Sequence, residues 1–189
     1  MKRFSLVTVL LIAVFNFSCD ELEELVPDEI DITTSYVSNL NISSAMTNDP
    51  DESVMIQESF AFDFLNNSDV TEHVGTPEQI KRIEIVSVQY EYKNFSGNVD
   101  ASSNCSLGLA RGFMSLDFFE VTDTNFAEAD LFGTLFTLSG DYSQVNDYVS
   151  DSKLFGGVYT GSSTHNPVDF TVEVTVTARL TLEINLDDL

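Results

Sequence analysis

From Val168 to Ile184, every second residue is apolar: Val168, Phe170, Val172, Val174, Val176, Ala178, Leu180, Leu182 and Ile184. The residues between them, Asp169 through Glu183, are all polar. A period of two is the pleat of a β-strand, with one face turned to a core and the other to water. At about 3.3 Å per residue such a strand would span ~55 Å, longer than strands usually run. It is therefore expected to bend, or to pass from one sheet to another. A membrane barrel is a poor alternative, because it needs many segments of about 10 residues with aromatic girdles.

The rest of the chain repeats the pattern in shorter pieces. Residues 30–44 are rich in Thr, Ser, Ile, Val and Tyr and have no helical period. Asn48-Asp49-Pro50-Asp51 is a turn cluster. Over 54–65, Ile56, Phe60, Phe62 and Phe64 face one way, opposite Ser59, Ala61 and Asp63. Over 83–93, Val86, Val88, Tyr90 and Tyr92 share a face. One or two further strands are expected over 106–121, around Leu107, Leu109, Phe113, Leu116 and Phe118, with a bend at Gly112. Gly156-Gly157 is read as a break, Val158-Tyr159 as a short strand, and Gly161 to Pro167 as a loop.

Helix signals are few. Thr76-Pro77-Glu78-Gln79 has a cap, a Pro at the first helical position and capping-box spacing, so a short helix is expected near residue 78. A better one is expected over 141–153, where Tyr142, Val145, Tyr148 and Val149 share a face behind a capping Asp141. Residues 124–131 have a weaker helical look. One-face strands in series, separated by turns and with little helix, predict an all-β fold. The expected form is an antiparallel β-sandwich of about eight strands with one or two short helices.

The N-terminus differs from all this. Met1-Lys2-Arg3 is positive, and the run from Phe4 to Phe17 is apolar apart from Ser5, Thr8 and Asn16. Ser18-Cys19 and an acidic stretch, Asp20-Glu21-Leu22-Glu23-Glu24, follow. A basic start, a short apolar run and a small residue before the cut mark a secretory signal peptide. The run falls short of the ~20 residues of a membrane span. Phe15-Asn16-Phe17-Ser18-Cys19 resembles a bacterial lipobox, with Asn16 standing where an aliphatic residue is usual. The resemblance implies cleavage before Cys19 and lipidation of Cys19, and it covers only this segment. It also implies sorting by the residues after the Cys. An Asp there is an inner-membrane signal in some bacteria, and an acidic stretch is a surface-export signal in others. The outer membrane or cell surface is favoured. The expected organisation is a signal peptide over 1–18, an acidic tether over 19–29 and a single β-sandwich domain over 30–189.

Charge and cysteine usage bound the partners. Without residues 1–18 the chain keeps 171 of its 189 residues, with six basic against 31 acidic side chains, a net charge of −25. So acidic a surface repels nucleic acid and anionic headgroups. Lipidation of Cys19 would leave Cys105 alone, and a lone Cys at the entry to an apolar segment reads as a small buried hydrophobe.

Chemistry is hard to find in the sequence. His73 and His165 lie in polar, turn-like segments. Ser162, Ser163, His165 and Asp169 are loop composition rather than a triad. Two separated His and one Cys do not make a zinc site. Asn48/Asp49/Asp51/Glu52 and Asp117/Glu120/Asp123 lack the Asp-x-Asp-x-Asp-Gly spacing of a calcium loop. No catalytic residue, metal ligand or cofactor is therefore expected. There is no Trp. Tyr90 and Tyr92, on one face, are the candidate ligand-binding rings, with core packing as the competing reading.

Three function classes remain. The preferred one is a non-catalytic, lipid-anchored envelope protein binding a protein or another envelope component. The alternatives are a glycan-binding accessory module of a sugar-uptake system and a hydrolase.

Overall fold

A computed structural model describes residues 29–72, 76–112, 115–120 and 123–183, and the backbone alone at 69, 115, 116 and 120. Cys19, the tether before Glu29, His73, Phe113 and Ile184 lie outside the described residues. The described chain forms eight strands: β1 (Glu29–Ser44), β2 (Val54–Asp63), β3 (Ile80–Gly97), β4 (Ser103–Gly112), β5 (Ser115–Glu120), β6 (Leu135–Thr137), β7 (Leu154–Ser163) and β8 (Val168–Glu183). Three helices accompany them: α1 (Ser68–Thr71), α2 (Phe126–Phe132) and α3 (Ser143–Ser152). Every strand pair is antiparallel. The strands make two sheets, in the orders β1-β8-β3-β6 and β2-β7-β4-β5. The fold is an all-β sandwich.

β8 lies inside the first sheet. Its even-numbered residues from Val168 to Leu182 are all buried, as the alternation requires. It neither crosses to the second sheet nor shifts register against β1, pairing without interruption from Glu29↔Glu183 to Ser44↔Val168. The expected passage between sheets is not needed, because β1 and β3 are as long as β8 and cover both its edges.

β3 corrects a second expectation. A register shift between Ile85 and Ser87 inserts an extra residue. Ile83 and Ile85 therefore face the core, as do Val88, Tyr90 and Tyr92, while Val86 turns out and is 46% exposed.

The glycine pair does not break the chain either. Gly156 and Gly157 sit within the ten-residue β7, which also takes in Val158, Tyr159 and Gly161–Ser163. A Cβ on Gly157 would lie 2.3 Å from the Gly108 carbonyl oxygen and 2.7 Å from the Phe60 ring. Absence of a side chain there lets β4, β7 and Phe60 close on one another.

Residues 106–121 do hold two strands, β4 and β5, and Phe118 faces outward rather than into the core. The signal near residue 78 yields one 3-10 turn, Pro77–Gln79, with the Thr76 N–H donating to the Gln79 side chain at 3.0 Å. α3 forms within the expected stretch, but Tyr142 holds the N-cap position with no side-chain cap bond, and Asp141, one residue earlier, accepts from the Ser143 N–H at 2.9 Å.

Along the far edge of β3, only Gln89–Glu91 pair with a strand, β6. Helix side chains take up other backbone groups there. The Asp130 carboxylate on α2 accepts from the N–H groups of Asn94 and Phe95, at 3.1 and 2.8 Å. On α3, Asn146 Oδ1 accepts from Ile85 N–H at 2.8 Å. The Ser150 hydroxyl both accepts from Ile83 N–H at 2.9 Å and donates to its carbonyl at 3.0 Å. Two helices thus complete an edge that a longer strand would otherwise cover.

Candidate functional site

Tyr90 and Tyr92 share a face, and it is the inward one. Both rings are buried among Phe126, Phe136 and Phe170, with Tyr90 stacked on Phe136 at 4.9 Å and Tyr92 edge-on to Phe126 at 5.1 Å. This corrects the surface-platform reading, since buried rings cannot present a face to a ligand. Tyr92 instead reaches across the core to β7, where its hydroxyl lies 3.0 Å from that of Tyr159. Cys105 is buried and free beside this pair, its thiol 3.6 Å from the Ser162 carbonyl. Burial pushes the Tyr92 and Tyr159 hydroxyls well above the ordinary phenol range and raises the Cys105 thiol as well. A thiol held protonated in the core is a poor nucleophile. The group is a hydrogen-bonded tie between the two sheets.

The histidine and acidic candidates sit elsewhere. His165 Nδ1 lies 2.9 Å from the Thr164 hydroxyl, and its Nε2 is 3.8 Å from Asp51. Ser163 donates its hydroxyl to the His165 backbone carbonyl at 2.7 Å. Asp49 uses Oδ1 to accept from the Asp51 N–H at 3.0 Å, a local turn. Asp117 faces Arg111 at 3.4 Å. Among the described residues, no group of three or more His, Cys, Asp or Glu converges as a metal set would.

The most organised surface feature is one end of the sandwich. The β1–β2 loop (45–53), the β3–β4 loop (98–102) and the β7–β8 loop (164–167) meet there. Asn166 is their hub and is fully buried. Its Oδ1 accepts from the Thr47 N–H at 2.8 Å. Its Nδ2 donates to the carbonyls of Asp49 and Glu52, at 2.9 and 2.8 Å, and to the Thr47 hydroxyl at 3.1 Å. Its own N–H donates to the Pro50 carbonyl at 3.0 Å.

The other two loops are joined in the same way. Thr164 N–H donates to the Ser102 carbonyl at 3.0 Å, and Ser102 N–H donates to the Thr164 hydroxyl at 2.9 Å. Asn98 N–H reaches the Pro167 carbonyl at 2.9 Å. That approach is open only because residue 97 is a glycine: its φ is +135°, and a Cβ there would lie 2.2 Å from the Pro167 oxygen.

Rigid loops on a rigid scaffold are where binding surfaces concentrate. On these loops Met46 and Val99 stand out at 72% and 67% exposure. Asp49, Asp51, Glu52 and Asp100, on the same loops, are exposed as well. The arrangement can seat an apolar contact within an acidic rim. Thr164 and His165 also form a hydroxyl–imidazole contact here, with Asp51 3.8 Å from the other ring nitrogen. Sequence reasoning passed over Asn166 because a buried hub and a solvated turn residue have the same Asn-Pro signature. It passed over Met46 and Val99 because isolated apolar residues in loops carry no period.

No family model matches the chain, and no curated protein matches it. Among solved structures, one from Desmodium yellow mottle tymovirus is similar at a TM-score of 0.33 and 8% identity, over 82% of this chain and 84% of that chain.

Proposed function

We propose that this chain is a non-catalytic envelope lipoprotein, held by lipid on Cys19 at the outer membrane or cell surface, that binds a protein partner. The observation carrying this reading is the loop end fastened by Asn166. It lies opposite the end where β1 begins at Glu29, so a tether entering there would leave the loops pointing away from the anchor. Ordered loops lose little freedom on binding, which lowers the cost of association. Met46 and Val99 supply the apolar contact, and the acidic rim selects a partner with a basic margin. The glycan alternative rested on a Tyr90/Tyr92 platform, and that support is gone.

Two measurements test the reading. Cross-linking on whole cells, followed by pull-down, is expected to recover one reproducible partner with the native chain, and at least tenfold less with Met46→Asp/Val99→Asp. Equal recovery with both chains overturns the loop end as the binding surface. Mass spectrometry of the processed N-terminus is expected to find an acylated Cys19. An unacylated chain cut elsewhere overturns the anchor.

A further inference from the structure

Each sheet ends in two edge strands, and three of the four carry devices that stop another strand from adding to them. β6 is three residues long, and side chains of α2 and α3 bond the strand behind it. β2 places an exposed Glu58 at inward parity, between Ile56 and Phe60. β5 has six residues and a register irregularity against β4 next to Gly112. β1 has none of these. It runs for 16 residues with no register shift, Pro, Lys or Arg, and from Ile32 to Ser44 it carries no charge. The outer surface beside it, on β3 and β8, is charged: Lys93 meets Glu173 at 2.7 Å and Arg179 faces Glu84 at 3.6 Å.

The ladder shows which backbone groups of β1 are already used. Ile83 and Ile85 donate their N–H groups to α3, and the Val88 carbonyl accepts from the Leu138 N–H, so these three turn away from β8. They stand opposite Leu180, Ala178 and Val176. Residues that face each other in an antiparallel pair turn their backbone groups both toward or both away from each other. Leu180, Ala178 and Val176 therefore turn toward β1, where they meet Ile32, Thr34 and Tyr36. The even-numbered residues of β1 thus bond β8. The odd-numbered ones from Asp31 to Ser43 turn their N–H and C=O groups to the open edge, and no described strand pairs with them there.

We propose that β1 pairs antiparallel with β1 of a second copy, about a two-fold axis at Val37, joining two four-stranded sheets into one of eight. Three observations select a second copy over a foreign strand. First, an antiparallel self-pair must set odd residues against odd ones, and a two-fold at Val37 does so: Ser35 meets Asn39, Thr33 meets Asn41 and Asp31 meets Ser43. Second, Val37, 55% exposed, is the one large apolar side chain exposed on β1. It lies at the middle of the strand, where the two-fold packs it against its own counterpart. Third, the two acids of β1, Glu29 and Asp31, lie together at one end. Antiparallel pairing holds each of them ~40 Å or more from its counterpart, far beyond the ~10 Å Debye length at about 0.1 M salt. The odd residues from Asp31 to Ser43, at two bonds per facing pair, give about 14 hydrogen bonds, within the roughly 5–15 of a specific interface. The pairing works against the repulsion of two bodies of net charge −25, so salt strengthens it. It depends neither on the lipid at Cys19 nor on the loop end.

The test uses the full chain in expressing cells under mild oxidation, with the native chain as background. Val37→Cys is expected to give a disulfide-linked species of twice the chain mass. Thr33→Cys and Asn41→Cys, each expressed alone, are expected to give at least tenfold less, because each would lie ~26 Å from its counterpart. Expressing those two variants together is expected to restore the adduct. Light scattering on the full chain in mild detergent is expected to show a dimer whose fraction rises from about 0.01 M to about 1 M salt. Val37→Asp sets like charges opposite each other and is expected to lower that fraction at least tenfold, with a thermal melt near that of the native chain. Absence of a double-mass adduct from Val37→Cys overturns the proposal. So does an adduct with a different protein, equal adducts from Val37→Cys and from Thr33→Cys alone, or a dimer fraction that falls with salt, as pairing with a basic foreign strand would.

Discussion

Asn166 fastens the β1–β2 loop to the start of β8 with a single side chain. Replacing it by Ala leaves the Thr47 N–H and the Asp49 and Glu52 carbonyls without this partner beside a fully buried position. Each lost hydrogen bond costs about 1 kcal/mol net, and more where a group stays buried and unpaired, so Asn166→Ala is expected to lose about 2–4 kcal/mol. Urea unfolding would show this as a lower midpoint at unchanged slope. Gly157 acts through absence. Gly157→Ala drives a methyl group into the Gly108 carbonyl and is expected to cost about 1–3 kcal/mol, whereas Gly112→Ala, with nothing within 4 Å of its Cβ position, is expected to leave the midpoint near that of the native chain.

At the level of elements, β3 depends on α3. Asn146→Ala removes the acceptor for the Ile85 N–H and leaves that strand edge short of a partner. A loss of about 1–2 kcal/mol is expected. Hydrogen exchange checks the location, with faster exchange at Ile85 expected before any change in the middle of β8. What the sequence made legible follows from how each element is stabilised. β8 is a strand buried on one face, and that face is written in the chain as a period of two. α3 carries its amphipathic spacing, with Asp141 bonding the Ser143 N–H just ahead of the Tyr142 N-cap position. The extra residue at Val86 was not legible, because apolar residues at 83, 85, 86 and 88 fit either phase until the pairing with β8 picks one. Gly156-Gly157 misled for a similar reason: the pair marks a close approach of neighbouring strands, and a local signal cannot tell that from a turn. The loop hub was invisible because its partners lie more than 110 residues away along the chain.

The whole molecule carries far more negative than positive charge, and its cations are few. Self-repulsion opposes the compact state, and salt shortens its reach from ~30 Å at about 0.01 M to ~3 Å at about 1 M. The thermal midpoint is therefore expected to rise over that range. A midpoint that falls or stays level would mean that the ion pairs on the outer face of the first sheet outweigh the repulsion. At the other extreme of pH, the Tyr92–Tyr159 tie sets the response. Both hydroxyls titrate higher in the folded chain than in the unfolded one, chiefly through burial. Their stabilisation is intact below the unfolded phenol value of about 10 and is lost as pH rises toward their folded values. With no Trp in the chain, near-ultraviolet absorbance belongs to tyrosine. In strong base, phenolate should therefore appear with a lag, because Tyr36, Tyr90, Tyr92 and Tyr159 are all buried. That lag times the opening of the core, so the protein carries an optical clock for its own unfolding.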